Sequence, residues 1–353
     1  MGRSDTVGQS RPTRLSPVQR GASAASIKAL QTDEGLILRA EGEMADPWNH
    51  LEAAMALTVA GELEAAGAAL EWLAAHQRRD GAWHAGYRED GTIADERLDT
   101  NGTAYLAVAL RLHAVATGEL RLVEALWPAL RRAIGFVLAQ QRPGGEIGWS
   151  DAPPKSANSF CLLAACSSIY ASFDAALSCG ELLARPWPGL SDAAERLGAA
   201  IRWRRSAFLA KDEYAMDWYY PVLSGVVSGA AGARRLRSGW HRFVREGQGV
   251  LCRCDQRWIT TAEKAECALA CLRVGLVEEA GRLCALTSTQ RQRDGSYLTG
   301  LVYPERTTFP PGEASSYSAA AVLLADDALA RGPAQALFAP ATSAEAGAEG
   351  AAG

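Results

Sequence analysis

The chain has 353 residues, 48% hydrophobic and 22% charged, which is enough to bury a sizeable core and excludes whole-chain disorder or a staple-dependent mini-protein. Its 36 Lys and Arg against 40 Asp and Glu leave a formal charge of −4. That balance excludes nucleic acid as the main partner, because phosphate binding needs a basic footprint.

In chain order, the first 20 residues are polar and lack the apolar core of an export signal, which points to a cytoplasmic protein. No stretch holds 18 uninterrupted apolar residues, so no membrane span is expected. From there helical periodicity runs the length of the chain. Apolar residues recur at spacings of three and four in Leu51 to Leu63, Leu70 to Leu73, Tyr105 to Leu112 and Leu126 to Leu138. Caps and breakers divide the pattern into about twelve helices near 18–31, 47–61, 63–77, 100–117, 120–141, 157–182, 191–209, 217–229, 231–245, 260–274, 276–291 and 314–330. Strand signals are nearly absent. Gly61, Gly118 and Gly275 mark short turns, whereas the loops 78–99, 142–156, 210–216, 246–259 and 292–313 are long. Such short–long alternation is expected of an array of helical hairpins. The last helix would pair with the first and close six hairpins into a ring. One barrel domain is therefore expected over 16–332, between a disordered segment at 1–15 and a disordered tail at 333–353.

The eight cysteines lie mostly in apolar, helix-like runs and are expected to be reduced thiols. Cys252, Cys254, Cys267 and Cys271 do not have the spacing of a zinc knuckle, so neither metal nor cofactor is expected. The composition, rich in Ala and Arg, suggests a bacterial protein.

A local repeat accompanies the hairpins. Gln77-Arg-Arg-Asp-Gly81-Ala-Trp83 is a full Q-x-x-x-G-x-W, and Gln31…Gly35, Gln141…Gly145 and Gln290…Gly295-Ser-Tyr297 are degraded copies. Gly would supply a left-handed cap, Gln would bond freed backbone groups, and the aromatic would pack on the helix end. These pieces resemble the repeat of squalene cyclases and protein prenyltransferases. The stretch Asp99-Thr-Asn…Tyr105…Thr117-Gly118-Glu119-Leu120…Leu126-Trp127-Pro128-Ala-Leu130 is similar to a helix pair of six-hairpin glycosidases of the glucoamylase kind. Both resemblances imply an all-α (α/α)6 toroid. The chain has neither the Asp-x-Asp-Asp of the cyclases nor the Asp-x-Cys of the prenyltransferases, so the repeat speaks for fold.

In such a ring the inner helices start at the end where the long loops gather. Those starts carry Asp46, Trp48 and His50; Asp99 and Asn101; Asp217, Trp218, Tyr219 and Tyr220; Glu263; and Tyr317. The loops would add Trp83, His84, Tyr87, Glu146, Trp149 and Trp258. Carboxylates, amides, histidines and aromatics converging on one mouth suit a sugar or polyol. Asp46, Asp99 and Asp217 also stand where N-caps belong, and Thr260-x-x-Glu263 is a capping box. Trp72, Trp127 and Trp203 fall in apolar stripes and are expected in the core.

The leading expectation is a carbohydrate-active enzyme, most simply a glycoside hydrolase, which needs one protonated and one ionised carboxyl group. Asp46, Glu146, Asp217 and Glu263 are the candidates, with Asp217 favoured as the acid because its apolar neighbours would raise its pKa. His50 and His84 leave an epimerase or lyase open. The alternatives are a toroid binding an isoprenoid, or a non-catalytic binding barrel.

Overall fold

The computed structural model describes residues 14–149 and 160–338. The expected segments 1–15 and 333–353 fall largely outside that range, as does the expected helix start at residue 157. Among the described residues α1 (Pro17–Lys28), α2 (Pro47–Ala60), α3 (Leu63–Ala75), α4 (Thr100–Ala104), α5 (Leu106–Thr117) and α6 (Arg121–Ala139) form the first half. The second half comprises α7 (Leu163–Leu182), α8 (Leu190–Trp203), α9 (Ala215–Leu223), α10 (Gly229–Phe243), α11 (Thr261–Arg273), α12 (Val277–Thr287) and α13 (Ser316–Leu329). A short α14 (Pro333–Phe338) follows, where a tail was expected. Every other helix lies close to its expected position.

The helices form two concentric rings. Inside, α2, α5, α7, α9, α11 and α13 each pack on the next, and α13 packs back on α2. Outside stand α1, α3, α6, α8, α10 and α12. Burial separates the two sets: 12 of the 14 residues of α13 are buried, against 4 of 15 in α10. An inner helix touches protein on every side, so it is apolar all round, while an outer helix shows one apolar stripe.

The Q-x-x-x-G repeat stitches the outer ring. Gln31 Nε2 donates to Gly35 O and to Ala65 O on α3, Gln77 Nε2 to Gly81 O and Ala129 O on α6, and Gln141 Nε2 to Gly145 O and Ala193 O on α8. Gly35, Gly81 and Gly145 have φ near +100° and press against the backbone of Ala68, Arg132 and Arg196, where a Cβ would collide with a carbonyl oxygen. Only glycine fits both the conformation and the contact. Gly295 makes the same approach to Ala22 of α1, so the repeat also closes the ring. Here the structure corrects the register. The residue four before Gly295 is Arg291, not Gln290, and its guanidinium takes the carbonyl of Gln19, three residues before Ala22. Arg20 adds ion pairs from α1 to Asp326 at 3.0 Å and Asp327 at 2.8 Å on α13.

Two expectations fail in the scaffold. Trp203 is 80% exposed, since it ends α8 on the outside, whereas Trp72 and Trp127 are core residues. Short strands, expected to be nearly absent, do occur: β1 (His84–Tyr87) with β2 (Ile93–Leu98), β3 (Val244–Arg245) with β4 (Gly249–Val250), and β5 (Trp258–Thr260) with β6 (Gly300–Val302) and β7 (Thr307–Thr308). Each lies in a loop between hairpins, and strands this short are hard to recognise by a period of two.

Candidate functional site

The mouth is built by hydrogen bonds to the next long loop from the first residue of α11, of α13 and of α4, the short turn that leads into inner helix α5. Thr100 Oγ1 donates to Gly148 O and Trp149 O, Thr261 Oγ1 to Leu298 O, and Ser316 Oγ to Leu38 O. The pairs Asp99-Thr100, Thr260-Thr261 and Ser315-Ser316 thus share a division of labour. The first member caps its own helix, and the second holds the neighbouring loop.

A cavity of about 320 Å³ opens there. Its lining includes Asp46 and Trp48 from α2, Asp99 and Asn101 around the start of α4, Trp149, Lys211, Tyr214, and Asp217 from α9. Leu162, Ala164, Ala165 and Met216 give it an apolar wall. Trp48 lies flat on Tyr105, ring centroids 4.0 Å apart, which leaves a rigid aromatic shelf. Asn101 Oδ1 is a buried acceptor without a partner among the described residues.

The three carboxylates differ in support. Asp46 caps α2 by accepting from Asn49 N at 2.9 Å and Asn49 Nδ2 at 2.7 Å; burial raises its pKa against those bonds. Asp99 caps α4 through Gly102 N, and burial lifts it to about 6. Asp217 is not the cap of its helix, a place taken by Tyr214. It sits one turn in, 5% exposed, with Arg205 Nη2 and Ala164 N each at 3.3 Å. Burial outweighs the Arg205 charge and raises Asp217 to about 6. In the inner ring α2 and α9 stand three places apart, so Asp46 and Asp217 line the cavity from opposite inner helices.

Farther in lies a second acidic cluster that sequence reasoning missed. Glu266 accepts from the hydroxyls of Tyr219, Tyr220 and Tyr317, and Glu52 accepts from Tyr105 at 2.5 Å. Both carboxyls are raised by burial, Glu52 to about 8 with the Glu266 charge adding to the effect. The available signal was a glutamate on a helix apolar on every face. Glu263 is raised to about 7 by burial and then by the Glu266 charge, with the Cys252 side chain acting the other way. Its amide takes the Thr260 half of the expected capping box.

The cavity therefore unites Asp46, Trp48, Asp99, Asn101, Trp149 and Asp217. The other expected site residues are placed elsewhere. His50 is locked between Ile37 N at 3.0 Å and Ala69 O at 2.8 Å, and burial lowers it to about 4. Trp83, 1% exposed, is the packing residue of the repeat and donates to Leu73 O. His84 and Tyr87 belong to the β1–β2 hairpin, where Tyr87 Oη accepts from His84 N. Glu146 pairs with Arg204 at 3.0 Å. Trp218 turns outward, stacking on Phe243 and donating to Arg235 O. Trp258 packs on Phe309 within the β5–β6–β7 sheet. Tyr219, Tyr220 and Tyr317 are held by Glu266. Among the described residues no group of three or more His, Cys, Asp and Glu could hold a metal ion, and no helix is long and apolar enough to cross a membrane.

No protein-family profile matches the chain. Among solved structures, a wild-type glycosidase superposes with a TM-score of 0.69 at 16% identity, over 88% of this chain and 96% of its own. A GH63 mannosylglycerate hydrolase from Thermus thermophilus gives 0.65 at 12% identity, covering 86% and 99%. A sugar epimerase from a ruminal bacterium gives 0.66 at 11%, covering 90% and 99%. At such identities the likeness shows the fold, the all-α toroid. The resemblance to squalene cyclases and prenyltransferases gains no support, because the repeat behind it is a stitch between outer helices. In sequence, the MMP endo-(1,4)-3-O-methyl-alpha-D-mannosidase of Mycolicibacterium hassiacum is 41% identical over 320 residues, 91% of this chain and 88% of its own length. On that similarity the chain belongs to the family of this endo-mannosidase, a family of glycoside hydrolases.

Proposed function

We propose that the protein hydrolyses internal 1,4-linked α-mannosidic bonds in an O-methylated mannose oligosaccharide, as its relative's name states for that enzyme. The observation that carries this reading is the pair Asp46 and Asp217, on opposite inner helices and lining one cavity with Trp48 and Trp149. Trp48 offers a face for a sugar ring, and the wall of Leu162, Ala164, Ala165 and Met216 suits methyl ethers better than free hydroxyls.

In this reading Asp217 is the general acid. Its raised pKa keeps a protonated fraction, and it gives that proton to the glycosidic oxygen as the bond to the anomeric carbon breaks. Asp46, held by two donors from Asn49, takes a proton from water while that oxygen attacks the opposite face of the ring. Asp217 ends ionised and Asp46 protonated, and both reset through solvent. Two carboxylates on opposite sides leave room for this water, so the anomeric configuration is expected to invert. Neither histidine expected for an epimerase lines the cavity, which weighs against that alternative.

The test is turnover of a methylated 1,4-α-mannooligosaccharide by Asp46→Asn, Asp217→Asn and Glu263→Gln, with the product anomer followed by NMR. Asp46→Asn and Asp217→Asn are each expected to lower kcat by roughly 10²–10⁴. Full activity in either variant would overturn its assigned role, and loss in Glu263→Gln alone would move the acid to Glu263.

A further inference from the structure

The other end of the barrel holds a second cavity, of about 220 Å³, where the inner helices finish and α14 lies across them. Its lining includes Tyr105, Tyr220, Ser168, Arg111, Arg273 and Phe338. Nothing in the hydrolytic reading uses Ser168 or Arg273.

The serines of α7 isolate the first unusual group. Ser167 and Ser172 satisfy their hydroxyls on the carbonyl four residues earlier, Leu163 O and Ser168 O, the usual habit of a helical serine. Ser168 does not. It is 3% exposed and its Oγ has no partner among the described residues. A buried hydroxyl left without a partner is destabilising.

Arg273 is the second. It ends α11, where a cation complements the helix dipole, and Nη2 donates to Leu337 O at 3.2 Å. Its Nε is buried and unpartnered, and it forms no ion pair among the described residues. Burial lowers its pKa to about 10 and outweighs the charge of the nearby Asp174. Arg111 at the rim is already paired, with Asp174 at 2.9 Å. Two guanidiniums and one carboxylate thus line the cavity, leaving one positive charge over, in a cavity that Ser168 also lines.

We propose that this cavity is a second, non-catalytic binding site for a small oxyanion, a carboxylate or phosphate group, held by the Arg273 guanidinium with the Ser168 hydroxyl donating beside it. Such charge-assisted bonds to a planar guanidinium are strong and favour carboxylate or phosphate over halide. The proposal stands independently of the hydrolytic reading.

The test is the thermal midpoint of the full-length protein titrated with sodium lactate and with sodium phosphate, against sodium chloride at equal ionic strength. A ligand bound by the native state alone raises Tm with its concentration, and a saturable rise of about 2 °C or more is expected for at least one oxyanion. The responding salt tells carboxylate from phosphate. The rise should vanish in Ser168→Val and in Arg273→Gln and persist in Asp46→Asn and Asp217→Asn. Ser168→Val guards against Arg273→Gln simply loosening α14. No rise beyond chloride, a rise that survives both Ser168→Val and Arg273→Gln, or one abolished by Asp217→Asn would overturn the site.

Discussion

The mouth and the interior of the barrel both place carboxylates beside aromatic rings, yet they use them in opposite ways. At the mouth Asp46, Asp99 and Asp217 line an open cavity, and their bonds are to backbone N–H groups, Asn49 and Arg205. Inside, Glu52 and Glu266 line neither of the two cavities and are enclosed by four tyrosine hydroxyls. Carboxylates of the first kind can exchange protons with a ligand. Those of the second tie α2, α5, α9, α11 and α13 together at the ring's centre. A raised pKa is common to both, so it is exposure to a cavity that sets the two clusters apart.

Replacing Glu266 by Leu gives the largest expected effect on stability. Three buried hydroxyls would lose their acceptor, at about 1–3 kcal/mol each, measurable by denaturant unfolding. A Glu266→Leu protein as stable as the parent but inactive would move Glu266 from the scaffold to the reaction. The tryptophans sharpen the same contrast. Trp83→Ala should cost about 3–5 kcal/mol as a core truncation. Trp48→Ala should cost less and chiefly raise KM, if its exposed face holds a sugar ring. Reversed outcomes would exchange the two residues' assignments.

Proton linkage separates the clusters again. Glu52 titrates at about 8 when folded, well above the 4.5 of an ordinary glutamate. The native state therefore holds a proton that the unfolded state has lost between those values. That contribution is complete below about 4.5 and is lost as pH rises through 8, at no more than about 1.4 kcal/mol per pH unit. Stability curves in that window should flatten in Glu52→Gln. Activity should instead decline as pH rises through about 6, where Asp217 gives up its proton, and Glu52→Gln should leave that limb in place. The smallest effect is expected in the stitching: Gln141→Ala loses bonds to Gly145 O and Ala193 O, costing about 1–2 kcal/mol in Tm measurements with activity retained.

Much of the scaffold was legible because it is local. Gly61, Gly118 and Gly275 do adopt left-handed turns, and Asp46 and Asp99 do cap inner helices. The repeat contained its own lesson. Its aromatic packs on a helix end, which makes Trp83 a core residue, as the structure shows. The lining of the mouth cavity was half legible: starts of inner helices pointed to Asp46, Trp48, Asp99, Asn101 and Asp217, but the same rule added His50 and Trp218, which do not line it. One residue turns a helix by about 100°, so Trp218, directly after Asp217, points away from the cavity that Asp217 lines.

By itself the sequence determined the order of the twelve ring helices and their alternation between hairpin partners, and the end of the ring where polar groups gather, but not the break between α4 and α5 or the added α14. These follow from turns, caps and the single apolar stripe of each outer helix. Only the tertiary structure decided which face of an inner helix looks into the barrel. An inner helix is buried on every side, so its hydrophobic pattern carries no stripe to orient it. Ring closure orients it instead, sending Trp48 to the cavity, Trp218 to the outer layer, and Glu52 and Glu266 to the centre.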